Sequence, residues 1–233
     1  MGLLSSFARR NGTITILTLF LTTTIAHGQL LINGGFETPA EPVNLYRLIT
    51  PGNEPVGFGW TVGLNSVEIQ RQGYVGGGGT LPFNGASYEG LQLLDLDGFP
   101  NPGSITQTFT TTPGVQYALN FAYANNPYRV GSPAQATVSV QDAVGLTNLI
   151  TPLAFSHNTS TVSNYFWNLS GPLSFTASGT STKLSFVSNN GSGDAGIYLD
   201  AISVVAVPEP STLVLVGMGG AAIFFYIRKQ KRL

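Results

Sequence analysis

The sequence predicts an all-β fold, a two-sheet β-sandwich of the jelly-roll kind, for its central residues 29–207. Three observations point there. No stretch shows a sustained 3.6-residue apolar period beside a charged face, so helices are few. Short runs alternate apolar and polar residues with a period of two, the signature of half-buried strands. Turn pairs such as Pro102-Gly103, Pro113-Gly114 and Ser178-Gly179 punctuate these runs at the spacing of an all-β domain.

Taken in chain order, the first element is a leader. Arg9 and Arg10 form a positive region, residues 14–25 an apolar one, and Ala26-His27-Gly28 a small-x-small cleavage site before Gln29. Residues 1–28 therefore read as a secretory signal peptide, with an uncleaved anchor as the alternative. Strands are expected at 58–62, 67–70 and 87–96, where apolar residues run between turn signals. The clearest alternation follows: Ile105, Gln107 and Phe109; Tyr117, Leu119, Phe121 and Tyr123; Val138 and Val140; Leu184 and Phe186. Segments 173–177 and 198–205 complete a set of nine to ten strands, the number a jelly roll uses. The Gly76 to Gly79 run has neither the lysine of a phosphate loop nor a helix after it, and reads as a turn.

The chain ends in a tripartite tail, 208–233. Pro208-Glu209-Pro210 precedes the uncharged stretch 211–227, which reaches the low end of a bilayer span at 1.5 Å per residue. Arg228, Lys229, Lys231 and Arg232 then favour the cytoplasmic side, which places the central domain outside. This order of parts resembles the PEP-CTERM sorting signal of bacterial surface proteins. The resemblance implies processing by an exosortase near Pro208-Glu209-Pro210, after passage through the inner membrane, and delivery to the cell surface or extracellular matrix. An ordinary C-terminal anchor is the competing reading.

Charge and composition exclude several functions. Residues 29–207 carry four bases against ten acids, a net charge of −6 that the basic tail masks in the whole chain. No basic cluster is present to meet nucleic-acid phosphates or anionic lipid. The absence of cysteine rules out disulfides, thiol catalysis and cysteine-based zinc sites. His157 is the single histidine of the domain, in a polar stretch expected to be a solvated loop, and no Gly-x-Ser-x-Gly elbow occurs.

The domain opens with Leu30-Leu31-Ile32-Asn33-Gly34-Gly35-Phe36-Glu37 and closes with Tyr198-Leu199-Asp200-Ala201-Ile202-Ser203-Val204. Between them stand Gly59-Trp60-Thr61-Val62, Gly90-Leu91-Gln92-Leu93-Leu94-Asp95-Leu96-Asp97-Gly98 and Pro102-Gly103-Ser104-Ile105-Thr106-Gln107-Thr108-Phe109. In this order they resemble the choice-of-anchor C family, bacterial ectodomains related to plant cell-wall proteins built on galactose-binding-like jelly rolls. Family members often show Asp-Asn-Val near the end; here Asp200-Ala201-Ile202 keeps the acid and loses the amide.

Three candidate sites follow. Asp200 shares its strand phase with Tyr198, Ile202 and Val204, so its carboxylate is expected to point to the apolar side and to need partners. Glu37 follows a first strand expected to lie beside the last one. With Asn33 these acids offer hard oxygen ligands for a structural calcium, which galactose-binding-like relatives often carry; carboxylates capping backbone N–H groups are the alternative. Asp95 and Asp97, two apart, fit either an acid-base pair of a glycan-active hydrolase or a turn at a strand end. Exposed aromatics suit sugar stacking beside polar partners: Asn126, Tyr128 and Arg129, after Asn125, are placed in a loop at one end of the sandwich, where ligand contact competes with plain loop packing, while Trp60 and Tyr123 are assigned to the core. The expected function is a non-catalytic exported surface protein binding polysaccharide through its jelly roll, against a structural or protein-binding ectodomain without sugar affinity.

Overall fold

A computed structural model of the chain describes residues 28–42, 45–76, 81–129 and 131–208. The signal peptide up to His27 and, beyond Pro208, the rest of the sorting tail lie outside the described residues.

Fourteen strands form among the described residues: β1 (Tyr46–Ile49), β2 (Thr61–Leu64), β3 (Val67–Arg71), β4 (Val75–Gly76), β5 (Leu81–Pro82), β6 (Gln92–Asp95), β7 (Gly103–Thr110), β8 (Gln116–Asn125), β9 (Ala134–Asp142), β10 (Leu153–His157), β11 (Asn168–Leu169), β12 (Leu173–Thr176), β13 (Ser181–Ser188) and β14 (Ile197–Ala206). The larger sheet runs β1-β3-β6-β14-β8-β11, with β12 also on β8, and the smaller runs β10-β9-β13-β7-β2. Every pairing is antiparallel, and β4 with β5 forms a separate hairpin. This is the expected all-β sandwich.

The core lies between the sheets, and alternation decides who enters it. From β8, Tyr117, Leu119 and Phe121 face inward, and from the opposite sheet so do Ile105, Val138, Leu184 and Phe186. Phe121 meets Phe186 edge-on across the sandwich at 5.0 Å between centroids. Trp60 is buried in the core and Tyr123 packs against it, as expected.

Two strands depart from half-burial. All four residues of β6 and the first four of β3 are buried, because the larger sheet is covered on both faces. Its outer face carries a second apolar cluster of Phe83, Leu93, Ala124, Tyr165 and Tyr198, against which Tyr74, Tyr128 and Trp167 pack. Residues 87–91, expected to begin a strand, instead belong to a loop over this face, so that β6 starts only at Gln92. Gln92 holds the segment before β1, donating to the carbonyls of Phe36 and Pro39 and accepting from the Glu41 N–H.

Two further expectations need correction. The opening segment 30–34 is not a strand, although it does lie along β14, with Leu30 N–H donating to Val204 O and Ile202 N–H to Gly34 O. A β-bulge between Asp200 and Ser203, with Ala201 at φ 50°, shifts the phase of β14. Tyr198 and Asp200 therefore face outward while Ile202 and Val204 face the core. The bulge adds a residue that strict period-two counting cannot see.

Candidate ligand-binding site

A cavity of about 540 Å³ opens on the outer face of the larger sheet. Its floor is built by strand phase: Glu68 and Gln70 leave β3 on the face opposite the core residues Val67 and Ile69. The same alternation brings Tyr46 from β1, paired directly with Gln70. Tyr74, Phe99 and Tyr128 come from loops, and Asp194 from the connection that enters β14.

Each wall residue is positioned by identifiable contacts. Tyr46 meets Tyr74 edge-on at 5.1 Å, Tyr74 stacks on Phe83 at 5.4 Å, and Tyr128 meets the same Phe83 edge-on at 4.7 Å. One buried phenylalanine thus fixes two tyrosines at the cavity. Phe99 N–H points to Glu68 Oε1, the Phe99 carbonyl accepts from Ser66 Oγ, and the Phe99 ring remains 63% exposed. Gln70 relays between partners, accepting from the Tyr198 hydroxyl at 2.8 Å and donating to Glu68 at 3.2 Å.

The expected sugar contacts Asn126, Tyr128 and Arg129 separate into three roles. Tyr128 lines the cavity. Asn126 borders it, but its amide is already used: Nδ2 donates to Asp95 Oδ2 at 2.8 Å and Oδ1 accepts from Tyr128 N–H at 2.9 Å. It pins the loop that presents Tyr128. Arg129 turns away, reaching the Ala195 carbonyl and Ser132 Oγ, with its Nε buried and unpartnered among the described residues. Tyr46, Phe99, Glu68, Gln70 and Asp194 were not among the expected contacts, because nothing in the sequence says that their four segments meet. The exposed ring of Phe99 before Pro100 is the one local cue.

Asp95 and Asp97 form a turn at the end of β6. Asp95 Oδ1 accepts from the Asp97 and Gly196 N–H groups, and Asp97 Oδ2 accepts from Asn190 at 2.6 Å. An Asp bonding the N–H two residues on is an Asx-turn. Both side chains are fully buried and neither lines the cavity. Burial, then Asp97 and Glu68, push the Asp95 carboxyl well up from its ordinary range. Burial likewise raises Glu68, with Asp194 adding to it against hydrogen bonds from Gln70 and Phe99.

The calcium candidates do not converge as one donor set. Glu37 Oε1 accepts the N–H groups of Leu91 and Gln92, both at 2.8 Å. Asp200 Oδ2 accepts those of Tyr88 and Glu89, and Oδ1 that of Ala201 at 2.7 Å. Asn33 is spent elsewhere, on Thr38 and the Phe58 carbonyl. Donors aimed at a carboxylate oxygen occupy lone pairs that a cation would take, and these contacts are those of the capping alternative. Among the described residues no three acidic or histidine side chains gather as a metal site. Burial pushes the Asp200 carboxyl up to about 8 despite its three N–H partners. His157, expected in a solvated loop, closes β10 as a buried residue bonded to Asn125 and the Phe166 carbonyl; burial lowers its pKa.

The family described as a protein of unknown function, DUF642, matches residues 29–208. The chain belongs to the DUF642 family. The match covers both sheets and the cavity of this DUF642 domain, and a PEP-CTERM protein-sorting motif matches residues 206–232, which marks the chain as exported and sorted to the envelope. No curated protein matches the chain. Among solved structures, the DUF642 chain is similar to TmCBM61 in complex with β-1,4-galactotriose, at 13% identity over 77% of this chain and 99% of that one, with a TM-score of 0.49. It is also similar to a family 35 carbohydrate binding module from Clostridium thermocellum, at 13% identity over 70% and 99%, with a TM-score of 0.40. A third is the CBM22-1 xylan-binding domain from Paenibacillus barcinonensis, at 12% identity over 72% and 97%, with a TM-score of 0.40.

Proposed function

We propose that this is a non-catalytic surface protein that binds polysaccharide in the cavity on the outer face of the larger sheet. The observation that carries the reading is the cavity itself. Its volume falls within the range of small-ligand sites, roughly 300–1,000 Å³, and four aromatic side chains surround convergent polar groups there. Sugar rings present apolar C–H faces that stack on aromatics and hydroxyls that need hydrogen-bond partners; this wall offers both. The Phe83 anchor supports a preformed wall, which reduces the ordering cost of binding.

Delivery belongs to the same proposal. A signal peptide starts export, the apolar stretch 211–227 holds the chain in the inner membrane, and an exosortase cuts near Pro208-Glu209-Pro210 to release the domain to the surface or matrix. Intact-mass measurement of envelope-derived protein tests this: the expected mass begins near Gln29 and ends near Pro208. A mass extending to Leu233 would reduce the tail to an anchor.

Binding is tested by titrating neutral and charged oligosaccharides into the full chain held in a non-ionic detergent. Phe99→Ala, at an exposed position, is expected to weaken binding about tenfold, the loss of one aromatic contact worth roughly 1.4 kcal/mol. Silence of the intact protein across all the sugars would favour a structural or protein-binding ectodomain instead.

A further inference from the structure

The cavity has a sign as well as a shape. Glu68 forms part of its floor, only 6% exposed, and Asp194 stands exposed at its edge. Directly across the strand pair from Glu68 lies Asp95, fully buried. Like charges placed opposite one another on adjacent strands repel, and burial together with Asp97 and Glu68 holds the Asp95 carboxyl toward its neutral form.

No lysine or arginine among the described residues lines the cavity. The nearest bases in sequence are committed elsewhere: Arg47 pairs with Glu41, Arg71 donates to the Glu41 carbonyl, and Arg129 reaches Ala195 and Ser132. Alternation explains this, since Arg47 and Arg71 leave β1 and β3 on the phase opposite to Tyr46 and Gln70. The negative potential is felt by the wall as well. Burial raises the Tyr74 hydroxyl pKa, and Glu68, Tyr46, Tyr128 and Asp194 push it further.

Glu68 retains capacity for a ligand. Its two protein partners are long, at 3.2 Å from Gln70 and 3.4 Å from Phe99, and an ionised carboxylate offers about four lone-pair sites. Aromatic faces beside carboxylates are the chemistry that recognises an ammonium group, through the ring quadrupole and through charge-assisted hydrogen bonds. An acidic sugar would bring a further carboxylate beside Glu68 and Asp194.

We propose that the cavity takes a protonated amino sugar, so that the polysaccharide recognised carries free hexosamine amines; this rests on the reading of the cavity as a glycan site. The ammonium sits between the Glu68 and Asp194 carboxylates, and the sugar ring lies against the Phe99 and Tyr128 rings.

The test uses the full chain in non-ionic detergent with three oligomers of equal length: β-1,4-linked glucosamine, its fully N-acetylated form, and β-1,4-linked glucose. They share ring and linkage and differ only at C2. The free-amine oligomer is expected to bind about tenfold tighter than the N-acetylated one, and Glu68→Gln or Asp194→Asn to remove that preference. Asp194 is exposed, so its substitution does not endanger folding. Equal or tighter binding of the N-acetylated oligomer would overturn the amine inference and leave the glycan site standing. A preference that survives both substitutions would also overturn it, since the amine would then be drawn by the acidic domain as a whole. No binding of any oligomer would remove both the inference and the reading beneath it.

Discussion

Asp200 concentrates the residue-scale physics of this protein. Its carboxylate receives the N–H groups of Tyr88, Glu89 and Ala201, which ties the loop over the outer face to the last strand. Truncation to Ala leaves those buried donors without an acceptor, and Asp200→Ala is expected to cost about 1–3 kcal/mol in a denaturant melt; an unchanged midpoint would deny the cap its role. The sequence identified Asp200 as an acid in need of partners but placed it in phase with Ile202, because the bulge at Ala201 is a tertiary feature. The same side chain gives a pH dependence. Its pKa of about 8 lies above the ordinary carboxylate range, as do those of Glu68, Asp95 and Asp97 in direction. The native state therefore binds more protons than the unfolded state above about pH 4, and stability falls as pH rises. Thermal midpoints are expected to be highest in mild acid and to decline toward about pH 8, with Asp200→Asn flattening part of the slope. A midpoint that rises over that range would contradict the assignment.

Among the elements, those legible in the sequence are the ones buried on a single face. β7, β8, β9 and β13 show the expected alternation because one side meets the core and the other meets solvent or a thin cover. β1 and β10 were missed: each has only one buried residue, so edge strands of this kind leave no apolar period to read. The expected strand at 87–96 was too long because its first residues, 87–91, serve as a loop capped by Glu37 and Asp200. The opening segment follows β14 so closely that Gly34 cannot carry a side chain; a Cβ there would stand 1.9 Å from the Ile202 carbonyl oxygen. Gly34→Ala must displace backbone and is expected to cost about 2 kcal/mol or more, by the usual scale of overpacking. A wild-type melt for this variant would mean that the segment does not hold β14.

At the scale of the whole molecule, the fold uses the larger sheet twice. Its inner face makes the core, and its outer face carries the second cluster that holds the cavity wall. The sequence offered Tyr128 as a sugar contact, and the structure sets it in the cavity lining. It could not supply Tyr46, Phe99 or Asp194, which reach the cavity only through strand order β1-β3-β6-β14 and the loops that order brings together. Glu37 and Asp200 spend their oxygens on backbone N–H groups, so a chelator is expected to leave the thermal midpoint of the full chain unchanged; a fall on chelation, restored by calcium, would reinstate the metal. Glycan binding in the outer cavity is read from the binding isotherm of the full chain with the glucosamine oligomer, compared between the intact protein and Phe99→Ala. Saturable binding that weakens about tenfold in the variant, with an unchanged melt, is the predicted result; equal affinity in both proteins would place the sugar somewhere other than this cavity.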